Sequence, residues 1–140
     1  VYEVDDATFA KIKDQFKAGC LSEDEILTTI KTCFNETGYL LDTHTAIGYG
    51  VLKQYQQETG DHTKTVLLST ASPYKFPESV YQAIYGEELD VYTAIDKLSE
   101  KTGVPVPQAL AGIKEREVLH KEAIDKTEII SFIKSEIEAM

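Results

Sequence analysis

Arginine is almost missing from this sequence. Arg116 is the only one among 140 residues, and 24 acidic against 14 basic side chains leave a formal net charge of −10. Proteins that bind nucleic acid need a basic face, commonly rich in arginine, to neutralise phosphates. Docking on an anionic membrane surface draws on the same cations. Both classes are therefore disfavoured. The apolar runs fall far short of the roughly 20 residues a membrane helix needs, and no signal-peptide pattern opens the chain. There are only two cysteines, Cys20 and Cys33, in segments that read as separate helices. A disulfide or metal pair wants closer or more numerous ligands, so two buried thiols in a cytoplasmic protein are expected. The eight glycines are dispersed, and none forms G-x-G-x-x-G or a Walker loop. His44, His62 and His120 are scattered, and Asp42 with His44 are too few for a closed metal site.

What is present suits one ordinary domain. Hydrophobic residues make up 42% and charged residues 27%, the mixture of a soluble globular protein. A chain of 140 residues can bury one real core but not two comfortable ones, so residues 1–140 are expected to form a single unit. The chain opens with Val1 rather than methionine, which fits a processed protein and at least as well a fragment of something larger.

Local patterns predict a helix-rich α/β fragment with a small parallel sheet. Phe9, Ile12 and Phe16 recur at helical spacing over residues 6–18, with Gly19 placed as a left-handed stop. "SEDE" is a capping box opening a second helix, with Ile26, Leu27, Ile30, Cys33 and Phe34 as its buried stripe and Gly38 at its end. Tyr39 to Leu41 is β-compatible, Asp42 or Thr43 caps a helix running to Thr59, and Thr65 to Ser69 reads as a strand buried on both faces. Together these predict a βαβ unit around residues 39–70. Further helices are expected from Pro77 to Tyr85 and from Glu88 to Thr102, the latter burying Val91, Ile95 and Leu98. Residues 108–116 are ambiguous, and Val118 to Ile124 looks extended. "DKTE" then opens a terminal helix with Ile129, Ile130, Ile133 and Ile137 inside.

Ligands of open α/β sheets bind beyond the carboxyl ends of the strands. Here those ends are "DTHTA" and "STASPYK", and if the strands are neighbours the two clusters share one crevice. Ser69, Thr70 and Ser72 lack a nucleophile elbow, and only His44 lies plausibly near as a base, so a serine hydrolase is a poor fit. Structural roles also account for many of these residues. Ser72 before Pro73 suits a helical cap, His44 in a first helical turn suits a bond to its own backbone, and Lys75 suits a solvated turn. Gly48 and Gly50 weaken a helix, so something must approach that face closely. The residues alone supply half of a site: groups able to touch a ligand, without machinery to transform it.

"TGYLLDTHTAIGYGVLKQY" followed by "TVLLSTASPYKFPESV" resembles the C-terminal portion of threonine synthase, a pyridoxal-phosphate enzyme of the tryptophan-synthase-β-like fold. That family typically reads G-Y-x-x-D-P-H-T-A-V-G-Y and then L-S-T-A-H-P-A-K-F-P-E. Here Thr43 replaces the proline, where threonine can still cap, and Ser72 replaces the histidine, whose role cannot be carried over. The resemblance spans nearly the whole chain, most weakly after Gly103.

The resemblance implies conversion of O-phosphohomoserine and water to threonine and phosphate. The lysine that binds the cofactor and the glycine-rich loop for its phosphate lie, in the family, upstream of the matched region. It implies that a hydroxyl meets the pyridine nitrogen, with Thr70 as the match and Ser69 in reserve. A hydroxyl can donate to a neutral nitrogen, making the ring a milder electron sink than an aspartate partner would. Lys75 and His44 are candidates for substrate contact, Lys75 toward phosphate. The partner implied is the missing N-terminal portion, without which this chain is expected to be inactive. Alternatives are another lyase of the same cofactor fold and a free-standing, non-catalytic α/β binding domain.

Overall fold

The computed structural model describes residues 3–119 and 121–139. Val1 and His120 lie outside the described residues. Among the described residues six α-helices follow one another: α1 Asp6–Gln15, α2 Glu23–Thr37, α3 Thr43–Thr59, α4 Pro77–Tyr85, α5 Val91–Thr102 and α6 Ile129–Ala139. Short 3-10 turns occupy Pro73–Lys75 and Ile113–Glu115.

Local chemistry sets most helix ends. Ser22 and Glu25 close a reciprocal capping box on α2, each serving the other's backbone N–H. Asp42 caps α3 and Asp90 caps α5, their carboxylates taking the orphan amides of the first turn. Gly38, Gly60, Gly86 and Gly103 stop α2 to α5 in the left-handed conformation, which only glycine adopts without a Cβ penalty. Helix α1 ends earlier than expected, at Gln15, and Gly19 has no positive φ. Gly19 is small for another reason: a Cβ there would stand 2.9 Å from Val51 Cγ1.

Helix α2 packs on α3 and α4, and α4 on α5. Ile26, Ile30 and Cys33 of α2 meet Val80, Tyr81 and Ile84 of α4 and Ala94, Ile95 and Leu98 of α5 in one core, which Leu40, Leu41 and Ala46 join from the start of α3. Burying an aliphatic side chain of this size contributes about 1.5–3 kcal/mol, so truncating Ile30 or Leu98 to alanine would cost about 2–5 kcal/mol. Val91, expected inside, sits at the surface, and Ala94, Ile95 and Leu98 supply the buried face of α5.

The expected parallel sheet is not formed. The described residues contain no strand; the chain is helical, and neither 39–41 nor 65–69 pairs with the other. β-compatible side chains need a neighbouring backbone to make a sheet, and that requirement is non-local. Leu40 and Leu41 instead turn into the helical core, while Val66 and Leu68 are 83% and 75% exposed. The segment expected to be a strand buried on both faces is therefore exposed along its length, Leu67 least of its apolar residues at 36%. The described part of 118–124 forms no strand either. The isoleucines of α6, expected inside, are exposed, as are Phe9 and Ile12 of α1 and Phe16 just after it. Cys20, expected buried, is exposed in the α1–α2 connector, whereas Cys33 is buried.

Candidate functional site

The site is built where the N-terminus of α3 meets the connector before α4. Asp42 is 1% exposed. Its carboxylate accepts the N–H groups of His44 at 2.9 Å and Thr45 at 3.3 Å, and also the Thr45 hydroxyl. One residue thus caps the helix and fixes a hydroxyl on it. Thr45 Oγ1 then lies 3.4 Å from Ser69 Oγ, twenty-four residues away along the chain. The "DTHTA" and "STASPYK" segments meet through a helix N-terminus, not as the neighbouring strand ends on which the expected shared crevice depended.

The connector has a clear sidedness. Thr65, Leu67 and Ser69 line a cleft of about 430 Å³, together with Leu41, Thr45 and Leu52. Val66, Leu68 and Thr70 do not line it; all of 65–70 is exposed, but Val66 and Leu68 at 83% and 75% are far more so than Leu67 at 36%. This is the period-two alternation of an extended segment, present without a pairing partner. It gives the two candidate hydroxyls different surroundings. Ser69 Oγ is also 3.4 Å from the Ala71 carbonyl, whereas the Thr70 side chain makes no hydrogen bond among the described residues.

The remaining candidates sit nearby. The half-exposed His44 ring places Nδ1 3.4 Å from Asp42 Oδ1 and 3.4 Å from Thr43 Oγ1, and its centroid is 5.1 Å from that of Phe76. Lys75 closes the 3-10 turn, exposed, one residue before Phe76. Ser72 caps that turn by accepting the Tyr74 N–H at 3.2 Å, the structural role its place before Pro73 suggested. The close approach required at Gly48 and Gly50 also has an answer. A Cβ on Gly48 would meet Leu67, and one on Gly50 would meet Leu21, so protein side chains fill both places.

Sequence reasoning missed Thr45 and Phe76. An Asp followed three residues later by Thr at a helix start was the available signal for Thr45. Nothing in the sequence marked Phe76 as the neighbour of His44. A larger groove of about 540 Å³ lies between α2 and α3, lined by Thr28, Thr32, Lys53 and Gln57 among others. It holds none of the hydroxyls above and shares only Tyr49 with the cleft.

Comparison with known proteins adds an independent line. A family model described as threonine synthase, C-terminal, matches residues 45–133. Threonine synthase of Haemophilus influenzae is 40% identical over 82 residues, which is 57% of this chain and 18% of that protein. Human threonine synthase-like 1 is 32% identical over 89 residues, 64% of this chain and 12% of that protein. A crystal structure of PLP-bound threonine synthase from Brucella melitensis superposes with a TM-score of 0.59 at 30% identity, covering 83% of this chain and 21% of that one. The chain thus spans less than a quarter of the length of each of these relatives. The matching model extends through 133, well past Gly103, where the resemblance read from motifs was weakest. With its two motif segments meeting at Thr45 and Ser69, this chain belongs to the threonine synthase C-terminal family.

Proposed function

We propose that this chain is the C-terminal part of a pyridoxal-phosphate-dependent threonine synthase, which converts O-phosphohomoserine and water to threonine and phosphate. Residues 1–140 act in this reading as one unit that is inactive alone. One observation carries it beyond family membership. Two segments distant in sequence meet at Thr45 and Ser69, and the next residue, Thr70, is exposed with a hydroxyl that makes no hydrogen bond among the described residues.

The residues present fit one corner of the cofactor. A free hydroxyl suits the pyridine nitrogen, but the dispersed glycines offer no phosphate loop and Lys75 stands in the wrong motif to bind the cofactor covalently. When bound, the cofactor supplies an electron sink for the substrate carbons. Thr70 would hold the ring nitrogen by donating to its neutral form, with Ser69 beside it. That choice moderates the sink and suits elimination and replacement at the β and γ carbons. Lys75 and His44 would meet the substrate, Lys75 as a cation for phosphate. The remaining polypeptide of such an enzyme would cover Val66 and Leu68, whose exposure supports a covered role in the whole protein.

The test is phosphate release from O-phosphohomoserine by the complete reading frame that contains this segment. Thr70→Val is expected to lower kcat at least tenfold with little loss of stability, and Lys75→Ala to raise KM more than it lowers kcat. Unchanged kinetics in Thr70→Val would remove it from the site. A second reading, another pyridoxal-phosphate-dependent lyase of the same fold, is compatible with the likeness to threonine synthase-like 1. Cofactor uptake without phosphate release would favour it.

A further inference from the structure

We infer that Asp42 and Thr45 form a latch that decides which of two adjacent hydroxyls faces the ligand: Ser69 is a positioning residue, and Thr70 is the group left free. This deepens the reading above and rests on it.

The reasoning begins with protons. A hydroxyl has one to give. Thr45 gives its proton to the buried Asp42 carboxylate, a charge-assisted bond that outcompetes a neutral acceptor. Held by that bond, the Thr45 hydroxyl stands 3.4 Å from Ser69 Oγ and ties it to the start of α3. Ser69 Oγ in turn donates to the Ala71 carbonyl at 3.4 Å. Its proton is already claimed.

Geometry then hands the outward role to Thr70. Thr65, Leu67 and Ser69 face the cleft, so Thr70 falls on the opposite side with Val66 and Leu68. Leu67 reinforces that phase by seating against Gly48, where even one added methyl would stand 2.9 Å from its Cδ1. Removing the Thr45 hydroxyl frees Ser69, leaves Leu67 as the sole pin, and lets the 69–71 backbone turn. Thr70 would then lose its fixed direction without itself being altered.

The experiment uses the complete holoenzyme carrying this chain, loaded with pyridoxal phosphate. It follows the absorption spectrum of the bound cofactor across pH, alongside kcat and KM. Thr70→Val is expected to shift both the band and its pH midpoint. Thr45→Val and Ser69→Ala should shift them in the same direction but less far, lowering kcat several-fold with KM nearly unchanged. Thr45→Ser should restore the original spectrum. Thr45→Val added to Thr70→Val should change nothing further, because the latch acts only through Thr70. A wild-type spectrum in Thr45→Val and Ser69→Ala would overturn the latch and leave Thr70 in its role. A shift in Ser69→Ala with none in Thr70→Val would reverse the two assignments and overturn the inference. A wild-type protein that takes up no cofactor would overturn the underlying reading, and the inference with it.

Discussion

Gly48 and Leu67 fit as socket and plug: a Cβ built on Gly48 would lie 2.9 Å from Leu67 Cδ1. The contact fastens an otherwise loose connector to the side of α3. It also makes the two glycines of that helix unequal.

Gly48→Ala would push only the far end of a leucine that is still partly exposed. Alanine is worth about 1 kcal/mol over glycine in a helix, which offsets that small displacement. The expected change in stability is within about 0.5 kcal/mol, set by the gain in propensity and the cost of moving one methyl. Gly50→Ala is different, because its Cβ would stand 2.5 Å from Leu21 Cδ1 and 3.3 Å from Leu21 Cγ, too near the branch point to swing aside. Overpacking of this kind costs about 1–3 kcal/mol. Denaturant midpoints of the two variants should differ clearly, with Gly50→Ala the weaker.

Acid should loosen the helix starts. The Ser22 backbone N–H and hydroxyl hold the Glu25 carboxyl below its ordinary range, and the Thr8 backbone N–H does the same for Asp5 at the start of α1. Asp90 is lowered by Thr93, through its side chain and its backbone. A carboxyl whose folded pKa lies below its unfolded value contributes stability above the unfolded value, about 4, and loses it as pH falls through the folded one. Helical circular dichroism should therefore decline below about pH 4. Glu25→Gln together with Asp90→Asn should flatten that decline. An unchanged acid limb in the double variant would assign the transition to other carboxylates.

Val66 and Leu68 form an apolar face that the described residues leave open. Replacing both with lysine removes no packed contact and adds charge to a surface suited to covering by another segment. Light scattering of the separate chain should fall, with thermal midpoint unchanged. In a complete enzyme the same pair should lower the yield of folded protein. A drop in the midpoint of the separate chain would mean that these side chains already pack within it.

Tyr74 ties the 3-10 turn to the segment after α5 by donating its hydroxyl to the Val104 carbonyl. Ser99 Oγ donates to the same carbonyl at 3.0 Å, so Tyr74→Phe leaves that oxygen satisfied. The expected cost is about 0.5–1.5 kcal/mol, the value of one hydrogen bond. Tyr74→Ala also empties a buried ring position and should cost about 3–5 kcal/mol. Similar losses in both variants would place the energy in the hydroxyl rather than in the ring.

Much of the fold was legible because it is written in short-range chemistry. Ser22 with Glu25, Asp42, and the glycines 38, 60, 86 and 103 act within four residues of their targets, so their residue types suffice to place α2 to α5. The sheet was misread because Val66, Leu67 and Leu68 state what their segment is suited to, not what lies beside it. The isoleucines of α6 and the phenylalanines in and just after α1 carry the same ambiguity: periodicity marks a face for covering without naming the cover. At the site, the pairing of the two motifs was visible as order along the chain. The Thr45–Ser69 contact was not, since it depends on how α3 is set against a connector with no periodic signal strong enough to orient it.

Leu67 against Gly48 and Ser69 against Thr45 are two fasteners separated by one intervening residue. That spacing makes the segment sensitive to parity. Lengthening the chain ahead of Thr65 would leave both fasteners in step. A single-residue insertion between Leu67 and Ser69 would not: to keep both seated, the added residue must bulge, and without a bulge the following hydroxyls exchange sides. Length variation among natural relatives should accordingly collect in 60–64 and avoid 67–70, whatever the side chains there.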